Sequence, residues 1–320
     1  MGFWYLGTGT AMIIGALFAY GLLFYTADTF RSWQLMFLIC GLITIAVGIC
    51  VIVFLPDNPM SSRLNHDEKI WAIERLRENK TGIENKHFKL EQFVEVFKDP
   101  QTYLFIVIVT AMNIPNGAIS NFSAQIIKSL GFTTKQTELL NIPAGGVQVI
   151  TVLSSTYMAS RFDQRCLCLI VTLMGGLLGS CLLAFSHGQA SRLAGNYLTN
   201  LVGASLPLMY SVVGANIAGH TKKVTMNAIM IMCVGLGNIL GPLTFRTKDA
   251  PNYIPAKIAI VATVSVAIIF IAVLMLYYTY ENQQRDHNHE GEVHQENSEF
   301  LDLTDRQNRE FRVSWFNNLT

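Results

Sequence analysis

The sequence predicts an all-α membrane protein with eight spanning helices. Composition is the first observation behind this. Hydrophobic residues make up 51% of the 320-residue chain and charged residues only 14%, against about 25% charged in a soluble domain. The second is the distribution of charge. No charged residue lies between Trp33 and Leu55, Gln101 and Ile127, Leu139 and Ser160, or Leu193 and Gly219. The third is length, since crossing a bilayer takes about 20 apolar residues. Backbone polar groups in lipid must be satisfied within the segment, so these runs are helices and not open strands. The segments fall at about 5–25, 33–55, 103–127, 139–160, 166–187, 193–218, 224–245 and 258–280.

The first segment begins almost at Met1. It has no basic stretch before it and no small-residue cleavage site after it, so it does not read as a signal peptide. Residues 1–55 therefore hold two spans. Residues 56–100 form a long loop that opens on Pro56-Asp57-Asn58-Pro59 and carries eight Lys/Arg. Asn65 can cap a short helix there, with Glu68 three residues on as its partner. Ile70, Ile73 and Leu76 would share one face of that helix, a surface helix lying under the membrane domain. Residues 101–280 hold the remaining six spans. The loop tips the Lys/Arg balance to its own side, which predicts a cytoplasmic loop and cytoplasmic termini. Trp4, Trp33, Tyr103, Tyr277 and Tyr280 lie near segment ends, as interfacial aromatics do. After Tyr280 there are nine acidic and four basic residues with few apolar ones, so residues 281–320 read as a disordered cytoplasmic tail.

Catalytic signatures are missing: there is no HExxH, GxSxG or Walker A string. The six cysteines lie in or beside apolar runs, and His287, His289 and His294 fall in the polar tail. Neither group calls for a metal, and no motif calls for a cofactor. A net charge of +1 argues against nucleic acid. No Asp, Glu, Lys or Arg falls in the middle of a span, where ion and proton pathways usually announce themselves. The polar residues inside the spans are neutral. Asn113, Asn116 and Ser120 share a face of the third span, and Gln125 follows. Gln148 lies in the fourth span, Asn216 ends the sixth and Asn238 sits in the glycine-rich seventh. Pro115-Asn116-Gly117 would loosen the third helix, as in transporters whose broken helices line a cavity. The same amides could instead serve interhelical hydrogen bonds, and the glycines helix packing. Both readings stand on the residues alone.

Several strings resemble a known family. Ser32-Trp33-Gln34-Leu35-Met36-Phe37, with Gly41 and Leu55-Pro56-Asp57-Asn58-Pro59, looks like the fifth-to-sixth helix region of major facilitator transporters of the anion:cation symporter group. Asn216-Ile217-Ala218-Gly219-His220-Thr221-Lys222-Lys223, Gly237-Asn238-Ile239-Leu240-Gly241-Pro242 and Asp249-Ala250-Pro251-Asn252-Tyr253 are similar to the fungal allantoate permease branch. Ser160-Arg161-Phe162-Asp163-Gln164-Arg165 is a degraded form of the superfamily's short basic loop. The resemblance implies a twelve-helix fold, of which this chain carries helices five to twelve and lacks the first four. It implies a plasma-membrane transporter of a small organic anion (the allantoate, nicotinate, vitamin or small-peptide class), driven by proton symport. Asn113, Asn116, Gln125, Gln148, Asn216 and Asn238 are then the candidate substrate-binding residues. A transport-inactive fragment, acting as a partner of a full-length relative, is the alternative expectation. His220, Lys222 and Lys223 read as topology and gate residues in a cytoplasmic turn.

Overall fold

A computed structural model describes residues 2–25, 30–56, 65, 67–69, 71, 88–162, 164–250, 253–288, 302–308, 311 and 313. Among these residues eight helices are long and apolar enough to cross a membrane. The first two are α1 (Gly2–Leu22) and α2 (Ser32–Phe54). A short helix, α3 (Leu90–Lys98), leads into α4 (Pro100–Ser129), α5 (Thr134–Phe162) and α6 (Arg165–Phe185). The next span is built of α7 (Gln189–Thr199), a 3-10 turn over Asn200–Ala204 and α8 (Ser205–Asn216). α9 (His220–Leu243) and α10 (Ile254–Asn288) follow.

Local chemistry sets the helix ends. Asp99 caps α4 by accepting from the Gln101 backbone N–H at 3.3 Å, and Pro100 fills the first helical position, where no N–H is needed. α4 then runs unbroken through Pro115, so the proline does not open the helix as the sequence suggested. Its 30 residues span about 45 Å at 1.5 Å per residue, longer than the hydrocarbon core.

α4 is the axis of the six-helix body. It packs against α9 on one side and α10 on another, and α10 also packs on α6. The α4–α9 contact is backbone to backbone. A Cβ placed on Gly237 would lie 2.5 Å from the Asn113 Cβ, and one on Gly117 would lie 2.7 Å from the Asn238 Cα. Gly241 presses on the Ile114 carbonyl in the same way. Small residues let helices approach in lipid, where apolar burial gives no drive for association. Gly235 faces open space, so the glycine run has one packing side only. A second close approach joins α1 to α5, where a Cβ on Gly145 would stand 2.8 Å from the Gly9 carbonyl oxygen. Gly7, Gly15 and Gly21 meet nothing. α2 has no buried residue, and Phe37, Ile45, Ile52 and Phe54 are exposed around it, an apolar exterior suited to lipid.

Two expectations change. The tail was expected to be disordered from residue 281. Instead α10 continues to Asn288, and residues 302–308 are packed on the body, with Thr304 and Asp305 buried. The physical reason is a set of charged and backbone partners supplied by distant parts of the chain, described below. The second change concerns α3, which the sequence reading left inside the loop. It presents Gln92 and Val96 inward as buried residues. In the earlier part of the loop, Glu68 accepts from the Asn65 backbone N–H at 2.9 Å, one half of a capping box. Ile70, Ile73 and Leu76, expected on the face of that helix, lie outside the described residues.

Gly237→Ala is expected to destabilise the purified protein by about 1–3 kcal/mol through overpacking. Gly235→Ala should be neutral, or stabilising by up to about 1 kcal/mol through helix propensity. Melting temperatures in detergent measure both, and equal shifts for the two would refute the packing assignment.

Candidate functional site

The candidate residues divide between places. Gln148, on the face of α5 that meets α1, donates from Nε2 to the Thr8 hydroxyl at 3.0 Å. This bond joins helices from opposite sides of the 56–100 segment. Gly203, in the 3-10 turn, lies beside it. A Cβ there would be 3.1 Å from Gln148 Nε2 and 3.5 Å from Asn116 Oδ1. Thr8, Asn116 and Gln148 thus form one neutral polar patch on the seam. Asn116 is half-buried, and its side chain makes no hydrogen bond to the described residues.

The other four candidates lie elsewhere. Asn113 is buried and donates to the Val109 carbonyl at 2.8 Å, while Asn238 donates to the Val234 carbonyl at 2.9 Å. Both side chains fold back on their own helices at the α4–α9 contact. Gln125 reaches the far end of the bundle, where it donates to the Tyr253 hydroxyl at 2.6 Å. Asn216 is buried at the opposite end and bonds the Tyr278 side chain. A further polar group, outside the six candidates, joins α4 to α5 and α7. Ser123 donates to Asn141 Oδ1 at 2.8 Å and accepts from Asn196 Nδ2 at 3.1 Å. The Asn196 Oδ1 atom is buried without a donor.

The largest departure from expectation is Lys222. The sequence placed it in a short basic turn as a topology and gate residue, yet it is only 1% exposed, in the first turn of α9. Its ammonium is 2.9 Å from Glu95, 2.9 Å from Asp99 and 2.8 Å from Asp305. Arg306 adds a second cation 3.3 Å from Asp99. Gln101 donates to Asp99 at 2.7 Å and accepts from the Tyr278 hydroxyl at 3.3 Å. Burial pushes the Asp305 carboxyl above its ordinary value, against the pull of Lys222.

Residues 302–308 act as a strap under this end of the bundle. Asp302 pairs with Lys89 at 2.8 Å and accepts from the His220 backbone N–H at 2.7 Å. Asp305 accepts from the Ala218 N–H at 3.3 Å. Gln92 of α3 accepts from the Thr221 N–H and donates to the Asp302 carbonyl, both at 3.0 Å. The orphan N–H groups at the start of α9 are thus capped by a carboxylate and an amide. Gly219 turns into α9 at φ 89°, and a Cβ there would sit 3.1 Å from Thr304. Further along, Asn282 and Val313 exchange hydrogen bonds of 2.8 and 3.0 Å.

Eight apolar helices make this a multi-pass membrane protein, and residues 1–242 match the family model described as Major Facilitator Superfamily. The chain belongs to the major facilitator superfamily. Its similar proteins are fungal. An uncharacterized transporter of Schizosaccharomyces pombe is 36% identical over 97% of this chain and 62% of its own length. A thiamine pathway transporter of Saccharomyces cerevisiae is 36% identical over 98% of this chain and 60% of its own. The allantoate permease of the same yeast is 32% identical over 97% and 60%. The chain therefore spans about three-fifths of the length of these relatives. The resemblance to this superfamily is thus shown, and these relatives are named as transporters and as a permease.

Removing Lys222 (Lys222→Ala) should cost about 3–5 kcal/mol, because three carboxylates then share one buried end of the bundle with a single partly exposed arginine. Asp305→Ala should instead free the strap. Hydrogen exchange is expected to show lost protection over residues 302–308, with the middle of α6 unchanged. Protection of the strap equal to wild type would contradict its anchoring through Asp305.

Proposed function

We propose that the chain moves a small organic anion across the membrane by proton symport, with α1 and α2 rocking against the α4–α10 body. The observation that carries this is the patch at Thr8, Asn116 and Gln148. It lies on the seam between the two groups of helices, the position where alternating access puts its substrate. Asn116 offers a half-buried amide with no partner among the described residues. The Gln148 amide carries a second N–H beyond the one directed at Thr8. Amide donors suit a carboxylate, and being neutral they leave no bare charge in hydrocarbon when the site is empty.

Among the six candidates, Asn116 and Gln148 are the substrate ligands in this reading. Asn113 and Asn238 bond within their own helices at the α4–α9 contact, and Gln125 and Asn216 serve opposite ends of the bundle. The substrate class follows the relatives. One is an allantoate permease, and allantoate is a small carboxylate. The eight Lys/Arg of segment 56–100 support a cytoplasmic side for that segment, for the Lys222 cluster and for both termini. The plasma membrane is the proposed location.

Uptake of labelled allantoate and nicotinate by yeast expressing the chain at its surface tests the proposal. Uptake should rise as external pH falls. Gln148→Ala and Asn116→Ala should each reduce it about tenfold, the worth of one hydrogen bond of about 1.4 kcal/mol. No uptake of either solute at acid pH, with the protein present at the surface, would sink the reading.

A further inference from the structure

The nine residues of α3 divide into three faces. With a turn of about 100° per residue, Gln92 and Val96 fall together, and both are buried against the body. Glu91 and Lys98 fall on a second face and are exposed. Glu95, at the edge of that face, turns to Lys222. The third face carries Leu90, Phe93, Val94 and Phe97. Their spacing of three and four residues places them within about 100° of the circumference. This face is open among the described residues: Leu90 is 65% exposed, Val94 40% and Phe97 48%. Phe88, just ahead of the helix, is also exposed. Its ring centroid is 5.7 Å from that of Phe93, which is 5.3 Å from that of Phe97. The three rings form one row.

A surface helix of a protein in water buries one apolar stripe and shows polar residues elsewhere. α3 shows charge on one side only. Its place in the fold says what meets the other. It ends at Asp99, the cap of α4, and so lies beside the first turn of a spanning helix. The 30 residues of α4 give a length of about 45 Å, close to the roughly 40–45 Å of a bilayer with its headgroup layers. The start of α4, and the helix that leads into it, therefore lie at headgroup depth. Tyr103, one turn into α4 and itself exposed, donates its hydroxyl to the Phe97 carbonyl at 2.9 Å. This bond sets the aromatic end of α3 against the exposed side of α4, the side that meets lipid. The strap holds α3 through Gln92 and Lys89, and leaves the row of rings free.

We propose that α3 is an interfacial helix, with Leu90, Phe93, Val94 and Phe97 seated in the bilayer where headgroups give way to acyl chains. The partner is the lipid itself. An in-plane helix sinks its apolar face about 5–10 Å into that boundary, while Glu91 and Lys98 stay in water. The helix thereby moors the end of segment 56–100 to the membrane, together with the Gln92 and Glu95 side chains that hold the start of α9. This surface is separate from the Thr8–Asn116–Gln148 patch, and its seating is read without any transport.

The test uses the purified full chain in phosphatidylcholine nanodiscs, with and without lipids brominated on the acyl chain, which quench tryptophan on contact. Phe97→Trp puts a reporter on the apolar face and Glu91→Trp one on the charged face. Wild type, with its four tryptophans, is the baseline for both. The emission added by Phe97→Trp should be blue-shifted and should lose most of its intensity to brominated lipid. Bromine near the headgroup end of the chain should quench it more than bromine near the methyl end. The emission added by Glu91→Trp should lose little to lipid and be quenched by aqueous iodide. Should Phe97→Trp fail to fold, Leu90→Trp carries the measurement. A blue-shifted reporter at 97 that brominated lipid leaves untouched would put another stretch of polypeptide over this face and overturn the proposal. So would a reporter at 97 open to iodide, or equal lipid quenching of the two positions.

Discussion

Gly117, Gly237 and Gly241 let the backbones of α4 and α9 approach closely, with only Asn113 and Asn238 side-chain atoms against the glycines. In lipid two helices gain little by hiding apolar surface, so van der Waals contact has to hold them together. That contact fixes the register of α9 against α4, and the register puts Lys222, in the first turn of α9, beside Asp99 at the cap of α4. A helix sliding by one turn, about 5.4 Å, would carry the lysine out of reach of all three carboxylates. The glycine seam and the charge cluster are therefore one device, with close packing in the membrane setting the spacing of charges at its edge.

The spans were legible because each is a long run without charge, and their helical form follows from the bilayer itself. Which glycines matter was not legible. Gly235 and Gly237 look alike in the sequence, and only the facing of α9 separates them. The strap was illegible for a different reason. Lys222, Glu95 and Asp305 lie far apart along the chain, and the composition after Tyr280 is polar throughout. Short polar segments bury little apolar surface, so they read as disordered until their partners are known. The candidate site was partly legible. Asn116 and Gln148 come together on the seam, whereas Asn113, on the same helical face as Asn116, turns back to Val109. A periodicity argument places Cβ atoms and leaves the amide direction open. Lys257, buried in the first turn of α10, went unremarked because a lysine at the edge of a span usually reaches water.

The two ends of the body differ in their electrostatics. One end carries a crowded set of acids and bases drawn from α3, α4, α9 and the strap, each answered by another. The end at α10's first turn is less crowded, with Lys257 buried there and Asp249 on the connection just before the helix. Between them the interior is neutral, with amides, hydroxyls and backbone groups as its only polar features.

The strap also bears on where this chain can be cut or labelled. Composition invites a cut after Tyr280, where the polar stretch begins. Such a shortening would take away Asp302, Asp305 and Arg306 together, strip the caps from the start of α9, and leave Asp99 and Glu95 competing for one lysine. Residues that look expendable on paper are the underside of the bundle. A reporter protein fused after Thr320 hangs from the far side of that clamp, and its linker must be long enough not to pull on it.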